Sequence, residues 1–420
     1  MTDVRPTVEA TFRLEYGRLL ATLIRLLGDI DAAEEAVQAA FVTAVETWPA
    51  SGVPRNPAAW LMVTARNRAL DGVRREAKRQ LKETGGAALD ADHDEAAPSD
   101  DRLTLIFTCC HPALASTAQV ALTLNLLGGL SVPEIARAFL VPPATMAQRL
   151  VRAKRKIRAA GIPYRIPDPD SLPERLQAVL AVLYLVFNEG YYASGTDSLV
   201  RSDLCVEAIR LGRTLVELMP FEPEVLGLAA LMLLQDSRRA ARLDASGELV
   251  LLPDQDRSRW DLGQIAEGSA LLERALRRGS PPGPYVLQAA IAAVHAEATS
   301  AERTDWRQIA ALYGRLFQVM PSPVVDLNRA VAVAMAGSVA AGLAIMDRIE
   351  ASGELAGYHL LPAAQADLLR RLERWEDAVA AYRRALVLSP NAVERRFLEQ
   401  RLAECRGYLS VREEAGSRTE

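Results

Sequence analysis

Apolar residues recur along this chain at the steps of a helix. Val37, Phe41, Ala44 and Trp48 advance by four, three and four, and Met146, Leu150, Ala153 and Ile157 repeat the pattern. That spacing puts each set on one stripe of a helix, one side of which must be buried. Ala, Leu and Arg dominate a chain that is 50% hydrophobic and only 5% aromatic, a balance that favours helix over sheet. The fold expected is therefore all-α, and 420 residues suffice for two to four domains.

Composition marks the boundaries. Residues 1–82 read as helical and end in a basic run. From Glu83 to Asp101 the chain carries seven acids and no Lys or Arg, among Gly, Ala, Pro and Ser. Residues 83–102 are read as a flexible acidic linker. A second helical block occupies residues 103–165 and closes in the proline-rich stretch IPYRIPDPDSLP. Residues 166–412 look like an α-solenoid. Helices there end in VELMP, FQVMP and LVLSP, at Pro220, Pro321 and Pro390, spacings near multiples of the roughly 34-residue tetratricopeptide period. Ala366, Leu369, Ala378, Tyr382, Ala385 and Pro390 sit at that repeat's offsets, although any antiparallel helical array could show them. One interruption, residues 237–261, contains GELVLLP and is expected to form a hairpin or extended, β-like insert. Gly190, in FNEGYY, is read as the stop of the helix before it.

Several classes are disfavoured. Four cysteines with no CxxC pair point to reduced thiols rather than a disulfide scaffold. Adjacent Cys109 and Cys110 beside His111 are poor metal-ligand spacing, so no metal site is expected. MTDVRPTVEA lacks the basic-then-apolar order of a signal peptide, and no membrane span is expected, which places the protein in the cytoplasm. No P-loop, metal box or nucleophile constellation is present, so neither catalysis nor a cofactor is expected.

The net charge of −4 conceals opposed patches. Ser131 is placed to cap a short helix with Glu134 three residues on, and Val141, Pro142 and Pro143 make a tight turn. The next helix buries the Met146 stripe and leaves Thr145, Gln148, Arg149 and Arg152 off it near the N-terminal end, where a helix-turn-helix meets base edges. Six cations fall between Arg149 and Arg158; Lys154, Arg155, Lys156 and Arg158 suit phosphates. A solvated helix whose last cations complement its dipole would explain the C-terminal part alone. In the first block, Asn56 to Lys82 holds seven cations against two acids, with Trp60 beside them; such a surface can hold a nucleic-acid backbone or simply face solvent. Asp31, Glu34, Glu35 and Gln38 crowd the start of the Val37 helix. Asp31 as a cap, with acids favoured at a helix N-terminus, accounts for them as well as a protein-contact patch does.

Together these residues resemble an extracytoplasmic-function sigma factor. DAAEEAVQAAFVTAVETW is similar to that family's polymerase-binding helix, AWLMVTARNRALDGVRR to the segment that recognises and melts the −10 element, and LSVPEIARAFLVPPATMAQRLVRAKRKIR to the −35-reading helix-turn-helix. LVFNEGYYAS, DQDRSRWD and LIFTCCHPAL further resemble a subgroup with a tetratricopeptide-like C-terminal extension. Glu35 stands where the family usually has Asp, and Pro142-Pro143 where many members have Ser-Glu. The resemblance implies core RNA polymerase (β′ and β subunits) and promoter DNA as partners, with a protein or peptide partner for the solenoid groove. It assigns Asp31, Glu34, Glu35, Gln38 and Phe41 to the polymerase. Trp60, Arg66, Asn67, Arg68, Arg74 and Arg75 fall to the −10 element; Thr145, Gln148, Arg149, Arg152, Lys154 and Arg155 fall to the −35 element. The rival reading is a helix-turn-helix regulator with a partner-sensing solenoid that does not act as a sigma factor.

Overall fold

The computed structural model describes residues 4–84, 101–139, 141–191, 198–242, 244, 250–279, 281–389 and 392–417. Among them the regular structure is helical, with no strand. The chain divides into two compact units, Met1–Val186 and Phe187–Glu420.

The first unit opens with α1 (Arg5–Leu27), α2 (Ile30–Ser51) and α3 (Pro57–Thr84), which pack on one another. Gly28 ends α1 in the left-handed region at φ 67°, and its N–H donates to the Ile24 carbonyl at 2.7 Å. That turn delivers Asp29 extended, so its carboxylate accepts from the Ala32 N–H at 2.9 Å and caps α2. Asp29 therefore does the capping expected of Asp31, which sits inside the first turn. Asn56 caps α3 through the Ala59 N–H at 3.0 Å. The α2 stripe is buried as its spacing requires: Val37, Phe41, Ala44 and Trp48 face inward with Leu19, Leu20 and Leu23 of α1.

The second block contributes α4 (Asp101–Cys109), α5 (Ser116–Leu122), α6 (Val132–Ala138) and α7 (Pro143–Ala159). Between α5 and α6 the helix widens into a π turn, Thr123–Leu127, closed by Gly128 N–H on the Thr123 carbonyl at 3.1 Å. A tether is the only join between the blocks that the sequence suggests. In the structure α1 also packs directly on α4 and on the π turn. Gly17 makes this possible, because a Cβ there would lie 2.7 Å from the Leu127 carbonyl oxygen. The Tyr164 hydroxyl donates to the carbonyls of Ala21 (2.9 Å) and Asp101 (3.2 Å), and Arg25 pairs with Asp101 at 2.7 Å. Helix α8 (Leu172–Tyr191) begins in this unit, where Arg175 donates to the Phe107 carbonyl at 2.6 Å, and the division falls within it.

In the second unit the rest of α8 is followed by α9 (Ser198–Leu218), α10 (Pro223–Asp236), α11 (Leu262–Leu276), α12 (Pro284–Glu297), α13 (Trp306–Val319), α14 (Pro323–Met335), α15 (Val339–Ser352), α16 (Leu360–Arg371), α17 (Trp375–Leu388) and α18 (Ala392–Ser417). Neighbours in sequence pack on each other, α13 on α14, α14 on α15, α16 on α17 and α17 on α18. Ala366, Ala378, Tyr382 and Ala385 are buried between the last three, the small residues letting backbones approach. Gly190 is buried in the last described turn of α8, next to Tyr191, whose ring stacks on Phe187 at 5.4 Å and whose carbonyl accepts from Arg242; residues 192–197 lie outside the described residues. The described part of the insert holds no strand, with Leu251 and Gln255 extended on either side of a short turn. Pro253 removes a ladder donor, and Asp256 accepts from the Ser258 N–H at 2.9 Å, so two 3₁₀ turns form, Leu252–Asp254 and Arg257–Arg259. Residues 245–249 lie outside the described residues.

Candidate polymerase and DNA interfaces

Helix α6 begins at the Ser131–Glu134 pair. The Glu134 carboxylate accepts from both the Ser131 N–H (2.7 Å) and its hydroxyl (2.5 Å), half of a capping box. Pro143 then opens α7, whose buried residues are Met146, Leu150, Ala153 and Ile157. With that stripe inward, Gln148, Arg152 and Arg155 are exposed and Thr145 and Arg149 half-buried. Arg152 donates to Gln148 at 3.4 Å, one turn apart. The α7 N-terminal half thus offers a polar surface of the length and chemistry that enters a major groove.

On α3, Arg66, Asn67 and Arg68 are exposed in succession, and Arg68 donates to the Thr43 hydroxyl at 3.4 Å. Trp60 is half-buried, its ring edge-on to buried Trp48 at 5.5 Å, so the indole serves partly as packing. Arg74 and Arg75 lie on the same helix, and their side chains fall outside the described residues.

On α2, Asp31, Glu35 and Gln38 are exposed. Phe41 is buried, edge-on to Phe12 at 4.9 Å, so packing rather than partner contact occupies it here. Glu34 is half-buried and paired with Lys154 of α7; both side chains are 15% exposed. Lys154 also lies 3.4 Å from Asp31, and Arg158 reaches Asp29 at 3.0 Å and Asp31 at 2.9 Å. Burial pushes the Glu34 carboxyl up, while its hydrogen bond and charge interaction with Lys154 pull it down. The acids assigned to the polymerase and a cation assigned to DNA thus meet each other. Sequence reasoning missed this pairing, and with it Asp29 and Gly17, and read Arg158 only as a cation suited to phosphate.

Around this contact the thiols are inert. Cys109 and Cys110 are buried. Burial raises both, Cys110 to about 12, and its sulfur lies 3.7 Å from the Thr123 hydroxyl. Among the described residues no group of three or more His, Cys, Asp or Glu could hold a metal ion, and no helix is long and apolar enough to cross a membrane.

This geometry coincides with known families. Residues 11–79 match sigma-70 region 2, residues 104–157 match sigma-70 region 4, and residues 175–276 match a family of unknown function, DUF6596. The chain is a sigma-70-type factor, a protein that directs transcription initiation. It belongs to one family with the uncharacterized protein R00370 of Rhizobium meliloti (strain 1021). The two are 46% identical over 393 residues, covering 91% of this chain and 92% of that protein. No solved structure matches the chain.

Proposed function

We propose that this sigma factor is of the extracytoplasmic-function type and acts in the cytoplasm. Its α2 holds the polymerase β′ subunit through Asp31, Glu34, Glu35 and Gln38. Arg66, Asn67 and Arg68 of α3, with Arg74 and Arg75, hold the −10 element. Thr145, Gln148, Arg149 and Arg152 of α7 read the −35 element, and Arg155 and Lys154 contact phosphates. Residues 166–412 form a tetratricopeptide-like regulatory domain whose groove takes a protein or peptide partner. The single observation that supports this best is the two-faced α7. Its stripe is fully buried, and its polar N-terminal face is free beyond a capped helix and a proline turn. The test is transcription from a promoter library with purified core polymerase and the full chain. Starts that require the protein, weakened by Arg149→Ala and by Arg66→Ala, are expected. Promoter binding without any core-dependent start would instead make the chain a regulator of the non-sigma kind.

A further inference from the structure

We propose that the second unit binds a small aromatic carboxylate in a cleft that its insert closes against α12 and α13. The ring lies against Trp306 and Met335, and the carboxylate sits on Arg257 and His295.

The insert is fastened at both ends. The Val250 N–H donates to the Arg242 carbonyl at 2.8 Å, and the Asp261 N–H donates to the Ser237 carbonyl at 2.9 Å. Between these points DQDRSRWD supplies the fixing residues. Asp256 turns the chain through the Ser258 N–H, and Trp260 is buried. Arg257 donates to the carbonyls of His295 (2.8 Å) and Ala298 (2.7 Å) at the C-terminal end of α12, groups that a helix leaves without partners of its own. Its guanidinium also lies over the Trp260 ring at 4.4 Å. The turn Leu252–Asp254 packs on the turn Ala301–Arg303 that precedes α13. A cleft of about 370 Å³ remains beside them. Small-molecule sites run from about 300 to 1,000 Å³, so this one suits a ligand of one or two rings.

The lining sets the chemistry. Trp306, Met335, Leu252 and Pro253 make the walls chiefly apolar, and a flat ring matches an indole and a thioether. The polar groups are few. Half-buried Arg257 spends Nη1 on the two carbonyls, and among the described residues no carboxylate pairs with it. Glu302, the one acid among the described lining residues, is exposed. Hydrogen bonds from Ser300 and from its own N–H hold its carboxyl below the usual range. Arg371 is already paired with Asp367 at 3.0 Å. The His295 imidazole has no hydrogen-bond partner among the described residues; it only meets the Trp306 ring edge-on. Burial, then Arg238 and Arg257, push its pKa down to about 4, so at neutral pH it offers an uncharged N–H. A carboxylate supplies the missing counter-charge, because it is planar and accepts in parallel from a guanidinium. A cation would instead face Arg257, Arg371 and, at longer range, Arg238.

The experiment titrates the full chain, carrying fluorotryptophan, with benzoate and 1-naphthoate and follows the ¹⁹F resonances. Trp306→Phe assigns position 306. Saturable movement of that resonance is expected with at least one acid. Naphthalene-1-methanol, the neutral counterpart, should bind about 10–100-fold more weakly, and Arg257→Gln should weaken the acid by the same factor. That change also removes the two α12 contacts, so Ala301→Phe is its companion. It fills the cleft, keeps Arg257 bonded, and should abolish the shift while positions 48, 60 and 375 stay unmoved. Equal affinity for acid and alcohol overturns the carboxylate site, as does tighter binding of 1-naphthyl phosphate. No saturable shift with either acid, movement confined to positions 48, 60 and 375, or undiminished binding in Ala301→Phe overturns the cleft itself. The titration involves neither polymerase nor DNA. Its failure leaves the sigma reading intact, and a chain that binds the acids yet starts no transcription leaves this site intact.

Discussion

Replacing Lys154 by Met removes the cation from the least exposed ion pair between the sigma blocks and strands a carboxylate. Both side chains of the Lys154–Glu34 pair are 15% exposed. Breaking a buried pair by deleting one partner costs about 3–5 kcal/mol. Residual solvent access lowers this to about 2–4 kcal/mol. Arg158 is 64% exposed in its pairs with Asp29 and Asp31, so Arg158→Met should cost no more than about 1 kcal/mol. Pairing Lys154→Met with Glu34→Gln removes the stranded charge. The double variant should be more stable than Lys154→Met alone, with a coupling energy of about 1–3 kcal/mol. The pH dependence has a definite sign. Burial raises the Glu34 pKa above its usual value, and losing Lys154 removes an influence that lowers it. A carboxyl raised in the folded state contributes stability below its unfolded pKa and loses it as pH rises through the folded pKa. The deficit of Lys154→Met should accordingly grow as pH rises above the ordinary carboxylate range and flatten in the double variant. Urea titration of the full chain, followed by ¹⁹F resonances of fluorotryptophan at positions 48 and 60, isolates the first unit from the tryptophans of the second. Equal losses for Lys154→Met and Arg158→Met, or no coupling with Glu34, would refute the reasoning.

On promoter variants bound by the polymerase complex, Arg149→Ala should cost about 1–3 kcal/mol at one base position, whereas Arg155→Ala should weaken all sequences alike and reduce the salt slope by about 1. His295, edge-on to Trp306 at 5.2 Å, is pushed down to about 4, first by burial and then by Arg238 and Arg257. Its contribution is complete above pH 6.5 and lost as pH falls to 4. Melting curves of His295→Gln should therefore show about 3 kcal/mol less acid sensitivity across that window. Gly227 of α10 has no room for a Cβ, which would lie 2.6 Å from the Val286 nitrogen, while Gly314 of α13 faces open space. Thermal unfolding should show Gly227→Ala destabilising by about 1–3 kcal/mol and Gly314→Ala stabilising by up to about 1 kcal/mol.

Much of the fold could be read from local sequence because the forces that set it are local. The Met146 stripe, the Ser131–Glu134 start and the proline opening of α7 all appear as expected, each fixed by helix geometry or a cap within a few residues. One short-range reading failed where a competing local choice won. Asp29 takes the cap from Asp31 because Gly28 turns the chain just before it. The ion pairs between α2 and α7 were illegible for a different reason. Acids at the start of α2 and cations at the end of α7 are each fully explained by the dipole of their own helix, so nothing in either segment calls for the other. Gly17 was the available signal. A glycine inside a helix costs about 1 kcal/mol relative to alanine, and a close backbone approach is a sufficient reason for it.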